Sequence, residues 1–233
     1  IAVDEGDDLR VVTLAQEVFS NAYLDNLGHI LTQVPMPVLP EGYDGTYPKN
    51  FPLAKDLFFR LLPEQRKFEA AIYGDGWGLC QTSTDRLKGR KLFVWGRSSG
   101  GMNWQKRLTS PEGRPYVEIQ AGLAHTQMEC LPMPPRTAWE WMEAYGALQT
   151  DPEIVHGSDW TAAGQEVADK LQADLPRERM DALLTETREA FALQPAEEII
   201  SRGSGWGALE AARCGKEFPA HLDFTSPDPE PAI

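Results

Sequence analysis

Acidic, amide and aromatic side chains alternate along short extended segments between residues 91 and 146. As a strand, Tyr116–Gln120 places Tyr116, Glu118 and Gln120 on one face and two apolar side chains on the other. Carboxylate and amide oxygens accept hydrogen bonds from sugar hydroxyls, and an aromatic ring covers the C–H face of a sugar. The alternation therefore predicts a carbohydrate-binding surface, although a solvated outer face would show the same pattern.

A second segment, Trp139–Tyr145, concentrates aromatic residues around an acid. As a strand it would carry on one face Trp139, Trp141, Glu143 and Tyr145. Rings that belong to the core would leave Glu143 paired with an arginine. Rings that line a groove would instead raise the pKa of Glu143 by desolvation and suit it to general acid catalysis. Glycoside hydrolysis needs a second carboxylate roughly 5–9 Å away, and we predict Glu118 as that partner, with Glu140 as the next candidate.

Tryptophans, glutamines and one further acid are the predicted sugar contacts. They are Trp95, Trp104, Gln105, Gln120, Gln127, Glu140 and Trp141. Trp95 to Gln105 spans a glycine-rich stretch in which Trp104 and Gln105 could begin a short helical turn. The stretch lacks the Gly-Lys-Ser/Thr ending of a phosphate-binding loop, so we exclude that function. A rim loop near the ligand and a purely structural turn both remain open.

Other catalytic chemistries find little support in the residue spacing. The four histidines show no metal-ligand spacing, and we predict neither a metal nor a cofactor. His125 lies between two strand candidates, where it could take part in acid–base chemistry or be an exposed turn residue. The three cysteines are odd in number and far apart, which favours a reducing, cytoplasmic location.

The chain has 233 residues with a net charge of −13, and 42% of them are hydrophobic. That charge argues against nucleic acid or an anionic membrane as partner, and no apolar run approaches the ~20 residues that span a bilayer. A monosaccharide or oligosaccharide is the expected ligand. Because the chain begins Ile-Ala-Val without a signal peptide, we expect it to be the C-terminal part of a longer protein. The missing N-terminal part and a second copy of the chain are further expected partners.

Residues 1–150 are predicted to form an antiparallel β-sandwich. Short apolar or alternating runs separated by turn residues indicate about eight strands. The candidate segments are Arg10–Leu14, His29–Val34, Asp56–Leu62, Phe68–Tyr73, Gly78–Ser83, Lys91–Trp95, Tyr116–Gln120, Thr126–Leu131 and Ala138–Tyr145. Asp75-Gly76 predicts a hairpin turn, and the proline-rich stretch Pro35–Pro52 predicts a long loop.

Residues 151–225 are predicted to be an α-helical extension. Apolar residues at 3–4 spacing indicate one helix capped by Ser158 and ending near Asp174, and a second from Pro176 to Phe191. Pro195 could open a third. Residues 226–233 are proline-rich and acidic, which is typical of an unpacked tail.

Several of these stretches resemble a bacterial family of unknown function that is usually joined to tetratricopeptide repeats. The resemblance covers roughly Tyr43 to Arg213. The matching motifs, between Thr82 and Arg213, are TSTDRLKGRKLFVWG, NWQKRL, YVEIQAGLAHTQMECLPMP, WEWMEAYG and GSGWGALEAAR. The resemblance implies a galactose-mutarotase-like β-supersandwich whose N-terminal portion would precede Ile1. It also implies a carbohydrate ligand on a concave sheet, although fold-level likeness alone does not define a reaction.

Three functions follow from the sequence. The first is a carbohydrate-active enzyme with glycoside hydrolase chemistry, in which Glu118 and Glu143 are the catalytic pair. The second is a non-catalytic carbohydrate-binding or sensor module whose helices recruit a partner. The third is a scaffold in which the tryptophans belong to the core.

Overall fold

A computed structural model of the chain describes residues 1–24, 28–110, 112–195, 197, 198, 209, 212, 213 and 215, with the backbone alone at 22–24 and 28–29. The chain divides into two compact units, Ile1–Met180 and Asp181–Ile233. All the strands described below belong to the first unit.

The described residues contain ten strands, all paired antiparallel. In chain order they are β1 (Ala2–Asp4), β2 (Arg10–Val12), β3 (Glu17–Leu24), β4 (Gly28–Pro35), β5 (Lys55–Phe59), β6 (Phe68–Ile72), β7 (Trp77–Ser83), β8 (Gly89–Val94), β9 (Tyr116–Gly122) and β10 (Glu143–Gln149). A six-stranded sheet has the order β1-β9-β8-β5-β3-β4, and a four-stranded sheet has the order β10-β7-β6-β2.

Four α-helices accompany the strands in the described part of the chain. They are α1 (Ser99–Leu108), α2 (Pro152–Val155), α3 (Trp160–Asp174) and α4 (Arg177–Thr187), followed by a π-helical segment, Arg188–Ala192. Helix α1 connects β8 to β9, and the other three follow the last strand.

The six-stranded sheet buries one face and leaves the other partly open. Its inward side chains are apolar residues of the central strands: Leu57, Phe59, Leu92, Val94, Val117 and Ile119. Their neighbours along each strand point the opposite way, because successive side chains of a strand alternate between the faces. Burying each such side chain contributes roughly 1.5–3 kcal/mol.

The four-stranded sheet lies between the six-stranded sheet and helix α3. One of its faces carries Ser83, whose hydroxyl accepts a 2.5 Å hydrogen bond from Arg90 on the inward side of β8. Its other face carries Thr82, which Arg66 contacts while donating to Gln172 of α3 at 3.0 Å. The result is a sandwich of two sheets with a helical layer behind the smaller one.

Helix α3 packs through one apolar stripe, as its 3–4 spacing predicts. Trp160, Ala163, Val167 and Leu171 are buried, and the Trp160 indole N–H donates to the Ala15 carbonyl at 2.7 Å. The cap differs by one residue from the prediction, because the Asp159 side chain, rather than Ser158, accepts the Ala162 N–H at 3.0 Å.

The predicted mainly-β sandwich followed by a helical extension is confirmed. The last strand ends at Gln149 and helices follow from Pro152, while the first compact unit continues to Met180. The Asp75-Gly76 turn joins β6 to β7 with Gly76 at φ 84°, a conformation that glycine adopts without strain. The third predicted helix falls largely outside the described residues, and the tail at 226–233 falls wholly outside them.

Several elements differ from the sequence prediction. Strands β1 and β3 were not predicted, and Thr126–Leu131 forms turns and irregular backbone instead of a strand. The stretch after Ser98 is helix α1, because the Ser98 hydroxyl accepts the Gly101 N–H at 3.2 Å and so caps it. The last strand begins only at Glu143, so Trp139 and Trp141 precede it.

Among the helices that the structure describes, none combines the length and the apolar character required to cross a membrane.

Candidate functional site

The outward side of the six-stranded sheet carries aromatic, charged and amide side chains. We call this surface the outer face; its residues are Phe19, Asn21, Asp56, Phe58, Lys91, Phe93, Trp95, Tyr116, Glu118 and Gln120. Strand register places them in rows: Phe19, Phe58, Lys91 and Gln120 lie side by side, as do Asp56, Phe93 and Glu118. The outer face is therefore the continuous polar and aromatic surface that the alternation in β9 predicts.

Lys91 lies at the centre of the outer face and is 9% exposed. Its ammonium group contacts a carboxylate oxygen of Asp56 at 2.7 Å and the Gln127 amide oxygen at 2.9 Å. The rings of Phe58 and Phe93 flank it, with centroids 5.5 and 5.4 Å from Nζ. A lysine held this way is fixed in position, and its charge is shared between an acid, an amide and two ring faces.

An aromatic ladder extends the outer face toward the end of β8. Trp95 meets Phe93 edge to face with ring centroids 4.7 Å apart, and Tyr116 in the same manner at 6.0 Å. The Trp95 indole N–H is buried and has no hydrogen-bond partner among the described residues. A buried donor without a partner costs free energy, about 1–3 kcal/mol, that a bound acceptor would recover.

The loop after β9 folds back over the start of β8 and forms a cavity. Gly89 makes this approach possible, because a Cβ there would stand 2.0 Å from the Ala124 carbonyl oxygen. The cavity has a volume of about 220 Å³, and Phe58, Lys91, Gln120 and His125 line it. The His125 Nδ1 atom is buried without a hydrogen-bond partner in the described part of the chain.

A larger cavity opens on the other side of Lys91. Its volume is about 530 Å³, and its walls include Asn21, Tyr43, Asp56 and Phe93. The Asn21 side-chain oxygen is buried and unpartnered within the residues that the structure describes. Small-molecule sites typically measure roughly 300–1,000 Å³, so a sugar ring beside Asp56 fits this space.

Four of the predicted site residues meet at the outer face: Trp95, Glu118, Gln120 and Gln127. The Gln120 amide donates to the Glu118 carboxylate at 2.8 Å, which fixes both side chains. Sequence reasoning missed Asp56, Lys91 and Phe93. The same alternation that drew attention to β9 is present in Lys91-Leu-Phe-Val-Trp95 and could have found two of them.

Trp104 and Gln105 lie on helix α1 and are not part of the outer face. The Gln105 side-chain oxygen accepts the Tyr116 N–H at 3.2 Å, so this buried glutamine anchors the beginning of β9. Trp104 is exposed, and the guanidinium of Arg107 lies 5.8 Å from its ring centroid. Both positions fit a role in holding the helix.

Glu143 lies in the other sheet and points to a different side. It shares the face of Ser83, its register partner, which looks toward the six-stranded sheet. Its carboxylate accepts hydrogen bonds from Trp141 at 3.2 Å, Tyr145 at 2.6 Å and Gln81 at 3.1 Å. The structure therefore does not bring Glu118 and Glu143 into one cleft. Glu140 and Trp141 precede β10 and are exposed, apart from the outer face.

A second group of polar residues is sealed between the sheets. Burial raises the pKa of Glu69 well above its usual range, against the opposing positive charge of Arg90. The amides of Gln120 and Lys91 are near, yet neither Glu69 oxygen has a hydrogen bond within the described residues. Burial likewise lowers the pKa of Arg90, to about 10. We call Glu69, Gln81, Ser83 and Arg90 the inner seam.

Among the described residues, no group of three or more His, Cys, Asp or Glu side chains is placed so that it could bind a metal ion.

Comparison with known proteins gives one distant likeness. The chain is similar to a solved structure, a TPR-domain-containing protein from Parabacteroides distasonis, with 22% sequence identity and a TM-score of 0.45. The match covers 62% of this chain and 22% of that one, so the chain spans about a fifth of that protein's length. No protein-family model matches, and no curated protein matches.

Proposed function

We propose that the protein is a carbohydrate-binding module whose ligand lies on the outer face, across Lys91. The observation that carries the proposal is the fixed Asp56–Lys91–Gln127 group between two aromatic rings. Charged groups that are already positioned accept and donate hydrogen bonds to hydroxyls without further ordering. The rings beside them supply the apolar contact that the C–H faces of a sugar need.

Unpartnered polar atoms at the same surface support the proposal. The Asn21 amide oxygen, the Trp95 indole N–H and His125 Nδ1 are buried without hydrogen bonds among the described residues. Asn21 and His125 line the cavities on either side of Lys91. Native proteins satisfy nearly all buried polar groups, so the unsatisfied Asn21 and His125 atoms, which adjoin open space, favour a polar ligand there.

Membership in the galactose-mutarotase-like family belongs to the same proposal. It rests on the motifs of the sequence analysis, and the two-sheet architecture is compatible with it. A cytoplasmic location and the recruitment of a partner by the helices are proposed on the same footing.

Glycoside hydrolysis is a second candidate, with Asp56 replacing Glu143 as the partner of Glu118. Asp56 and Glu118 lie in one row on either side of Phe93, two strand spacings apart. Two spacings amount to roughly 9–10 Å between backbone positions, near the separation of the acid and base in inverting glycosidases. The observation that favours binding over hydrolysis is the ion pair that engages Asp56 with Lys91.

Binding can be measured by calorimetry against a panel of neutral and acidic mono- and oligosaccharides. Asp56→Asn and Lys91→Met each remove one charged group of the central cluster, so affinity is expected to fall about 10- to 100-fold, since hydrogen bonds to charged groups contribute about 1.5–3 kcal/mol. Glu143→Gln and Trp141→Phe are the matched controls in the other sheet and should leave affinity unchanged.

Product analysis separates the two candidates. A binding module yields saturable binding and no cleavage, whereas the hydrolase yields product that Glu118→Gln abolishes while binding remains. The proposal is wrong if no sugar binds, or if the control variants lose affinity and the outer-face variants keep it.

A further inference from the structure

A third cavity adjoins the outer face beyond His125. Its volume is about 510 Å³, and it is bounded by the loop after β5, the turn before β8 and the loop after β9. Phe19 of the outer face and His125 form part of its wall. Because His125 also lines the 220 Å³ cavity next to Lys91, one imidazole separates the two spaces.

Charged side chains around this third cavity leave an excess of positive charge. Arg60 is paired with Glu17 at 2.6 Å, and Asp85 is paired with Arg177. Of the remaining charged groups that line it, Lys67 and Lys88 are cationic and Glu129 is anionic. A locally cationic cavity stands out in a chain whose net charge is −13, since the long-range field of such a chain repels anions.

Lys67 and Lys88 differ in what they offer to a ligand in this cavity. Lys67 is buried, and its ammonium donates to the carbonyls of Leu62, Pro63 and Gln65 at 2.5, 3.2 and 2.7 Å, so it supplies a fixed charge without a spare donor. Lys88 is exposed at the rim and makes no ion pair or hydrogen bond with the described residues. Its ammonium is the cationic donor that remains for a ligand.

His125 adds a neutral donor or acceptor at the junction. Burial lowers the pKa of His125, so the ring is neutral at pH 7 and carries one N–H. Glu129 accepts the His125 backbone N–H at 3.4 Å and the Thr126 hydroxyl at 3.3 Å, which holds the loop in place. The unpartnered Nδ1 thus lies between the surface proposed for the sugar ring and the cationic cavity.

We infer that this cavity takes the anionic group of an acidic carbohydrate, a carboxylate or a phosphate, while the sugar ring lies on the outer face. The inference rests on the proposed function and narrows its ligand class. Lys88 contacts the anionic group directly, Lys67 supplies background charge, and His125 bonds an oxygen at the junction of the ring and its anionic substituent.

Matched pairs of ligands test the inference by calorimetry at low ionic strength. Oligogalacturonide against the neutral galactose oligomer reports on a carboxylate, and glucose 6-phosphate against glucose reports on a phosphate. The wild-type protein is expected to bind one or both acidic members at least about tenfold more tightly than the neutral partner, which is the effect of one charge-assisted hydrogen bond.

Substitutions test whether the preference for the acidic ligand arises in this third cavity. Lys88→Gln should reduce affinity for the acidic member about tenfold and leave the neutral member within about threefold of wild type. His125→Gln, at the junction of the two cavities, should weaken binding of both members. Lys106→Gln, an exposed lysine on α1, removes the same charge elsewhere and should change neither.

Each possible result of these titrations supports or overturns the inference. Equal affinity for acidic and neutral members overturns the inference while the proposed function stands. A preference that survives Lys88→Gln also overturns it, because the anionic group then binds elsewhere. Failure of every sugar to bind overturns both proposals. Preference for the uronide pair identifies a carboxylate, and preference for the phosphate pair identifies a phosphate; either result supports the inference.

Discussion

Arg90 and Lys91 are neighbours on β8, yet they serve opposite sides of one sheet. Arg90 points into the inner seam, where it is fully buried and donates to the Leu87, Gly89 and Lys67 carbonyls and to Ser83. Lys91 points to the outer face, where an acid and an amide hold it beside open cavities. Because successive side chains of a strand point to opposite faces, Arg90 has a structural role whereas Lys91 is a candidate for ligand binding.

The two regions also differ in what their unsatisfied atoms can reach. In the inner seam, Glu69 and Gln81 are at most 2% exposed, and their unpartnered oxygens face protein on every side. On the outer face, Asn21 and His125 line cavities that a ligand can enter. An unpartnered polar group is therefore evidence for a binding site only where space adjoins it.

The largest expected difference between the two regions is in how much Arg90 and Lys91 contribute to the free energy of unfolding. Arg90→Met removes a buried charged donor from the Ser83 hydroxyl and from the Leu87, Gly89 and Lys67 carbonyls, so the free energy of unfolding should fall by about 3–5 kcal/mol. Lys91→Met, the same substitution one residue later, removes the donor from the Asp56 carboxylate and the Gln127 amide at a site that adjoins open space, and should cost less, about 1–3 kcal/mol. Urea unfolding followed by circular dichroism measures both, and equal losses would erase the distinction between the two faces.

The pH dependence of stability should follow Glu69. Its native pKa is raised above the ordinary 4.5, so the native state binds more protons than the unfolded state once the pH exceeds that value. Wild-type stability should therefore fall relative to Glu69→Gln as the pH rises from 5 to 8, by at most about 1.4 kcal/mol per pH unit. Unfolding titrations at each pH provide the measurement, and parallel profiles would contradict a buried, protonated Glu69.

Glu17→Gln is a control, because the pH dependence of stability that Glu17 contributes should have the opposite sign to that of Glu69. Hydrogen bonding from Gln33 and from Arg60 lowers the pKa of Glu17, so wild type should lose stability relative to that variant as the pH falls below the ordinary value of 4.5.

On the outer face, Trp95→Phe keeps a six-membered aromatic ring and removes the five-membered ring that carries the unpartnered indole N–H. We expect sugar affinity to fall by up to about tenfold with stability unchanged to within about 1 kcal/mol. Trp141→Phe removes an indole whose N–H already has Glu143 as acceptor and should bind as wild type. Wild-type affinity in Trp95→Phe would mean that this N–H does not point at the ligand.

The smallest expected effect is that of Glu143→Gln on binding. Its carboxylate accepts three hydrogen bonds from its own neighbourhood, so sugar affinity should stay within about twofold of wild type in calorimetry. A large loss of binding or turnover would restore Glu143 to the site and would argue for the catalytic pair predicted from sequence.

Period-two alternation and helix spacing predicted the sandwich, most of its strands and α3, because these signals are local. Strand β1 is three residues long and exists through pairing with β9, and pairing between distant segments leaves no local mark. Thr126–Leu131 has strand-like composition, but the Thr126 hydroxyl accepts the Met128 N–H at 3.2 Å and closes a turn.

Which face of each strand is open could not be predicted either. Tyr116, Glu118 and Gln120 share a face by periodicity alone, but only the sheet order places them beside Lys91 and Asp56. The same periodicity grouped Glu143 with Trp141, correctly as neighbours, yet could not show that they belong to the other sheet. Sequence therefore predicts the contents of a face, and tertiary pairing decides which faces meet.

The most direct test of the outer-face proposal is a titration of the isotopically labelled protein with the sugar panel, followed by amide and indole N–H resonances. We expect chemical-shift changes at the Trp95 indole N–H and at the amides of Lys91, Phe93 and Gln120, and no change at the Trp141 indole N–H. Shifts confined to Trp141 and β10, or no shift with any sugar, would contradict it.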